Sequence, residues 1–76
     1  MKDKFYTEYR DLGYSILYFR KQCGLTQWQL ADIMDVSYET VSRMENASSG
    51  YSLDMLIALT KALEISLSEL FAHARL

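Results

Sequence analysis

Proline is absent from this sequence, and glycine and cysteine are scarce, with three and one residues. Cys23 has no partner within the chain, so no internal disulfide is possible, which is typical of proteins in a reducing cytoplasm. No apolar run approaches the roughly 20 residues that cross a bilayer. No apolar stretch follows the basic start to form a signal peptide. We therefore expect a soluble, cytoplasmic protein that does not enter a membrane.

Positive charge is also scarce. Eight Lys and Arg residues stand against ten Asp and Glu residues, which leaves a net charge of −2. Residues 26–52 carry one cation, Arg43, against four carboxylates. Proteins that bind nucleic acid through a strong basic field have the opposite balance. Any binding to DNA must therefore come from a few well-placed groups.

The residue types that support catalysis do not occur in useful combinations. One cysteine and one histidine, Cys23 and His73, lie fifty positions apart, which is too little for a metal site. No set of nucleophile, base and orienting group stands out, and no glycine-rich phosphate loop is present. We predict that the chain is not an enzyme and uses no metal or cofactor.

Helical periodicity extends over nearly the whole sequence, and no alternating run is long enough for a strand. Capping residues mark the helix starts, with capping boxes at Thr26 and Ser66 and single caps at Ser37 and Ser52. The prediction is an all-α, single domain over residues 1–76, with helices at about 5–23, 27–34, 38–46, 53–63 and 67–75. Apolar residues expected on the buried faces of the first two helices are Phe5, Tyr9, Leu12, Ile16, Phe19, Leu30, Ile33 and Met34.

The second and third predicted helices are joined by a tight turn at residues 34–37, where we expect Asp35 in the left-handed conformation. Two short helices joined in this way can insert the second, the recognition helix, into the major groove. Val41 and Met44 point inward, which leaves the polar residues outside. Arg43 can make the bidentate contact to guanine that is common in specific readout, and Glu39 can accept from a cytosine amine.

Residues 12–71 resemble the Cro and phage-repressor (XRE-like) helix-turn-helix family of transcriptional regulators. The resemblance rests on the combined spacing of Leu12-Gly13, Ile16, Phe19, Arg20, Gly24-Leu25-Thr26-Gln27, Leu30-Ala31, Val36-Ser37, Thr40-Val41-Ser42-Arg43, Glu45-Asn46, Leu63-Glu64-Ile65 and Leu70-Phe71. It implies a five-helix, lambda-repressor-like DNA-binding domain. The chain departs from the family at Asp35 and Ala47, where glycine is common.

The resemblance also implies roles for individual residues. Gln27 would contact the DNA backbone and brace the recognition helix, and Arg20 and Glu45 would form a structural ion pair between the first and third helices. The predicted contacts with double-stranded DNA come from Gln27, Ser37, Tyr38, Glu39, Thr40, Ser42, Arg43, Asn46, Ser48 and Ser49.

The last predicted helix is more apolar than a single small core requires. We expect Leu70 and Phe71 to close the core of the monomer. Leu67, Ala74 and Leu76 are then expected to form a self-complementary patch for a homodimer. Such a dimer sets two recognition helices about 34 Å apart and selects a short palindrome. The alternative is that these last residues fray.

Trp28 stands at a motif position that is normally polar. We predict that it packs under the aromatic amino-terminal segment; otherwise it lies against the DNA backbone or a partner. A second hypothesis for the whole chain is a protein-binding helix-turn-helix module, such as an antitoxin or anti-repressor, that covers a partner through Tyr14, Tyr18 and Trp28. The acidic segment 26–52 favours that alternative.

Overall fold

The computed structural model describes residues 2–48 and 50–76, which form five α-helices and no strand. They are α1 (Lys2–Gln22), α2 (Gln27–Met34), α3 (Tyr38–Asn46), α4 (Leu53–Leu63) and α5 (Leu67–Ala74). The predicted all-α, lambda-repressor-like fold is confirmed. Helix α1 begins three residues earlier than predicted, with a kink at Phe5, and α1 and α5 each end one residue earlier.

Side-chain oxygens set the starts of the helices. The Thr26 hydroxyl accepts the Gln29 N–H at 3.1 Å, and the Gln29 side chain accepts the Thr26 N–H at 2.8 Å. Ser66 and Glu69 form the same reciprocal pair at the start of α5. Ser37 and Ser52 cap α3 and α4. Each cap satisfies amide protons that the first helical turn leaves without an acceptor.

Left-handed residues close the helices. Asp35 ends α2 with φ 57° and ψ 45°, as expected for the turn of a helix-turn-helix, and its N–H returns to the carbonyls of Ala31 and Asp32. Ala47 ends α3 in the same conformation, with φ 59°. A residue with a Cβ atom is strained there by about 1–2 kcal/mol, so the two departures from the family's glycines keep the geometry at a cost in stability.

The core lies where all five helices meet. Its fully buried members include Ile16, Leu30, Val41, Leu59 and Leu70, one from each helix. The buried Ser15 hydroxyl donates to the Leu70 carbonyl at 2.7 Å and ties α1 to α5. The helices therefore hold a single shared core, with α1 packed against both α3 and α5.

Two residues predicted to be buried are at the surface. Phe5 is half exposed because it lies at the kink, before α1 reaches the core. Ile33 is 56% exposed and borders a surface cleft with Cys23 and Ala62. Helix α2 is only two turns long, and its one buried face is filled by Leu30 and Ala31. In the part of the chain that the structure describes, no helix is both long and apolar enough to cross a membrane.

Candidate nucleic-acid interface

The Glu45 carboxylate anchors α3 from behind. Arg20 of α1 donates to it twice, from Nε at 2.5 Å and from Nη2 at 3.0 Å. The Arg20 and Glu45 side chains are only 10% and 6% exposed. A third donor, Arg20 Nη1, reaches the Leu25 carbonyl at 2.8 Å. The two residues that the resemblance paired thus form a bidentate, buried ion pair.

Gln27 joins the same carboxylate from α2. Its Nε2 donates to Glu45 Oε1 at 2.9 Å, so one carboxylate links the first three helices. Buried charges are tolerated where they are paired and hydrogen-bonded in this way. Gln27 therefore braces α3 in the structure, while its contact with the DNA backbone stays a prediction.

Gly13 brings α1 and α3 unusually close. A Cβ atom at this position would lie 2.3 Å from the Glu45 carbonyl oxygen and 2.9 Å from its carbonyl carbon. No side chain fits there unless the backbone of α3 moves. In the sequence, Gly13 stands out only as part of the family resemblance. The signal for its packing role is its place inside a long helix, where a glycine costs stability unless close packing requires it.

The outer face of α3 is open. Glu39, Arg43 and Asn46 are exposed, and Tyr38, Thr40 and Ser42 are half buried. None of these six predicted DNA contacts is sealed beneath another part of the chain.

Four of the predicted contact residues, Ser37, Thr40, Asn46 and Ser48, are also engaged in local hydrogen bonds. Ser37 is exposed, but its hydroxyl caps the Thr40 N–H at 3.2 Å and lies 2.9 Å from the Thr40 hydroxyl. The Asn46 side-chain oxygen accepts from the Ser48 N–H at 3.1 Å and from the Ser48 hydroxyl. The Asn46 amide protons are thus left to donate outward. Ser49, also predicted to touch phosphate, lies outside the described residues.

Trp28 does not pack under the amino-terminal segment, so that prediction is wrong. Its side chain is 66% exposed and stacks on Tyr38, with ring centroids 4.4 Å apart and planes 14° from parallel. From the first turn of α2, Trp28 meets the first residue of α3. The pair forms an aromatic surface at the start of α3.

The other two aromatic residues of the protein-binding alternative have different neighbours. Tyr14 is exposed, and Tyr18 stacks on His73 of α5 with centroids 4.0 Å apart. His73 also meets the edge of Phe19. Tyr18 is therefore held against α5, whereas Trp28 is held against α3.

The three residues of the predicted dimer patch differ in exposure. Ala74 is 5% exposed and belongs to the core, so it is not available to a second subunit. It lies beside Tyr14 and Ser15 of α1. Leu67 is half buried and packs against the core. Leu76 is exposed and borders an apolar groove of about 380 Å³, which Phe5, Tyr9 and Leu56 also line.

The acidic character of residues 26–52 is smaller than the sequence indicated. Glu45 is neutralised by Arg20 inside the protein. The exposed carboxylates of this segment are Asp32, Asp35 and Glu39, against the exposed Arg43. The buried pair thus removes one of the four anions that opposed DNA binding.

A model of the helix-turn-helix family matches residues 16–70, which include both helices of the motif. The chain belongs to the XRE-type helix-turn-helix family. Members of this family are DNA-binding regulators, which confirms the prediction that the chain is not an enzyme.

Individual relatives in this helix-turn-helix family are similar in sequence and in fold. The chain is 41% identical over 64 residues to the competence pilus inhibition repressor of Acinetobacter baylyi, a match that covers 84% of this chain. The match covers 58% of that repressor, so the chain spans less than two thirds of its length. Two crystal structures of the clp gene regulator ClgR from Corynebacterium glutamicum superpose with TM-scores of 0.86 and 0.85 at 26% identity. The superpositions cover 90% of this chain and 87% and 72% of those chains.

Proposed function

We propose that this helix-turn-helix chain is a sequence-specific transcriptional regulator that binds a short palindromic operator in the major groove as a homodimer. The observation that carries the proposal is the contrast across α3. Its inner side is held by Glu45 and Gly13, while its outer side leaves Tyr38, Ser42 and Arg43 accessible. The helix is therefore held rigidly from one side and is exposed to a partner on the other. A helix that contacts base edges in the major groove needs both properties.

The proposed contacts divide by chemistry. Arg43 is suited to a bidentate contact with guanine, and Glu39 to a cytosine amine. Tyr38, Thr40 and Ser42 can donate to base edges or phosphates. Gln27, Asn46 and Ser48 lie where backbone contacts are expected, and Ser37 contributes through the capped start of α3.

Few cations support these contacts, so we expect a shallow dependence of affinity on salt. About two or three phosphate contacts per monomer would give a log–log slope near −2 to −3 per monomer. A slope as steep as that of a strongly basic repressor would contradict this set of contacts.

A dimer would place the two recognition helices about 34 Å apart, one duplex turn. Because Ala74 is buried, the proposed two-fold contact rests on the exposed Leu76 and the edge of Leu67. The regulator would act in the cytoplasm by occupancy, either blocking polymerase or contacting it from an adjacent site. The name of the Acinetobacter relative favours repression.

The test is a selection of binding sites from random duplexes. Enrichment of a palindrome bound by two protomers, and its loss in Arg43→Ala, would support the proposal. Lys61→Ala is the matched control, because it removes an exposed cation from the last turn of α4. If wild-type protein enriches no sequence at low salt, the proposal fails, and a protein-binding module that uses Tyr14, Tyr18 and Trp28 becomes the better explanation.

A further inference from the structure

Trp28 is the sole tryptophan of the sequence, and two thirds of its side chain is exposed. Tryptophan is enriched at interfaces, where its large ring supplies contact area. Trp28 lies flat on Tyr38, with a centroid distance of 4.4 Å and nearly parallel planes. Trp28 lies outside the core, and the half-buried Tyr38 is the aromatic side chain on which it stacks.

The stack on Trp28 restricts the Tyr38 side chain, whose rotamer α3 alone would not determine. Ser37 fixes the backbone of the first turn of α3 through its cap on Thr40. That cap does not determine the rotamer of Tyr38, and an exposed tyrosine samples several. The Trp28 ring limits Tyr38 to orientations parallel to it. The entropy of ordering the ring is then lost on folding and not again on binding.

Tyr38 occupies the position where such restriction matters. It is the first residue of α3, and the amino-terminal residues of a recognition helix contact base edges. Its hydroxyl is both a donor and an acceptor. Resting on the function proposed above, we infer that Trp28 is a positioning residue that fixes the Tyr38 ring for readout of one base pair in each half-site.

The charge around Trp28 and Tyr38 favours contact with bases over contact with phosphates. Trp28 and Tyr38 line a shallow cleft together with Val36, Ser37 and Glu39. Glu39 is exposed in the first turn of α3, where its carboxylate repels a phosphate group. The aromatic surface beside it is therefore suited to base edges and thymine methyl groups.

The experiment repeats the site selection with Trp28→Ala, Trp28→Phe, Tyr38→Phe and the Trp28→Ala/Tyr38→Phe double variant. Tyr38→Phe keeps the stack and removes only the hydroxyl. We expect it to weaken the preference at one position of each half-site, and Trp28→Ala to weaken the preference at that same position by roughly two- to tenfold. Trp28→Phe should retain the preference. The double variant should resemble Tyr38→Phe, since both changes remove one contact.

Two further measurements separate positioning from a general structural role. Trp28 is too exposed to support the core, so Trp28→Ala should melt within about 4 °C of wild type. The salt dependence of its affinity should not change, because no phosphate contact is lost. Trp28 fluorescence should shift in Tyr38→Ala and remain unchanged in Tyr38→Phe, which shows that the stack forms in solution.

Three outcomes overturn the inference. If Trp28→Ala weakens binding to all sequences equally with a shallower salt slope, Trp28 contacts the backbone directly. If Trp28→Ala selects the wild-type operator with wild-type preferences, Trp28 does not position Tyr38. In both cases the proposed function still stands on the loss of binding in Arg43→Ala. If wild-type protein selects no site, the inference and the proposed function fail together.

Discussion

The polar side chains on the inner and outer sides of α3 differ in burial and in hydrogen bonding. On the inner side, the Glu45 carboxylate receives two hydrogen bonds from Arg20 and one from Gln27, and it is largely buried. On the outer side, the Glu39 and Arg43 side chains make no hydrogen bond or ion pair with the residues that the structure describes. Within one short helix, some residues hold the helix in place and others remain exposed for contacts with a partner. Substitutions on the two sides should therefore affect different properties.

The largest effect is expected at Glu45. Glu45→Ala leaves the Arg20 guanidinium buried without its partner, which costs about 3–5 kcal/mol. A domain of this size has only about 5–10 kcal/mol of stability in total. Urea unfolding followed by circular dichroism should show a greatly lowered midpoint.

The matched control is the other ion pair of the described residues, Arg10 with Asp11. Their side chains are 44% and 38% exposed, and the distance is 3.2 Å. Asp11→Ala should cost at most about 1 kcal/mol, because water screens an exposed pair. Equal losses in Glu45→Ala and Asp11→Ala would refute the importance assigned to the buried site.

Gly13→Ala tests the close approach of α1 to the inner side of α3. The added Cβ would meet the Glu45 backbone at 2.3 Å, so α3 has to shift. Overpacking of this kind costs about 1–3 kcal/mol, against a gain of up to about 1 kcal/mol from replacing a helical glycine. We expect a net loss of stability and weaker operator binding, measured by thermal unfolding and fluorescence anisotropy.

Gly24→Ala is a useful comparison for Gly13→Ala. Gly24 has φ +71° and nothing within 4 Å of an added Cβ. Its replacement strains the end of α1 without touching α3. Both variants should lose stability, but only Gly13→Ala should reduce affinity for the operator beyond what its unfolded fraction explains.

Arg43→Ala acts on the outer side alone. Its side chain is exposed, so the free energy of unfolding should change by no more than about 0.5 kcal/mol. Affinity for the selected operator should fall by about 1–3 kcal/mol, with relaxed preference at one base pair if Arg43 contacts guanine. A uniform loss over all sequences with a salt slope reduced by about one would instead identify a phosphate contact.

The smallest effect is expected at the turn that joins the motif's two helices. Asp35 adopts φ 57°, so Asp35→Gly should stabilise the fold by about 0.5–1 kcal/mol. Asp35→Asn removes the same charge and keeps a side chain, which separates strain from electrostatics. A stability gain in Asp35→Asn equal to that in Asp35→Gly would show that charge, and not the backbone, is responsible.

Much of the fold could be predicted because its signals are local. A serine or threonine oxygen caps an amide three residues later, so Thr26, Ser37, Ser52 and Ser66 mark helix starts in any sequence that can form the helix. The left-handed Asp35 follows from the same short-range logic. The open outer side of α3 was also expected, since Val41 and Met44 leave only one direction for their polar neighbours.

The wrong predictions concern side chains whose burial or contacts depend on residues distant in sequence. Periodicity placed Ile33 on a buried face, but α2 contributes only Leu30 and Ala31 to the buried core, with Met34 packed partly buried against it. Trp28 was assigned to the wrong partner, and Ala74 to the wrong surface. A glycine inside the long helix α1 hinted at a close approach, but the partner of Gly13, the Glu45 backbone, depends on how α1 and α3 pack and is not visible in the sequence.

The amino-acid sequence alone determined where α2 to α5 begin and which side of α3 carries polar groups, because these depend on contacts three or four residues apart. Three features were decided only by the tertiary structure. The α3 backbone packs closely against Gly13, Ala74 is buried in the core, and Trp28 stacks on Tyr38. Those outcomes depend on how whole helices cross, and a crossing is set by the combined packing of all five helices at once.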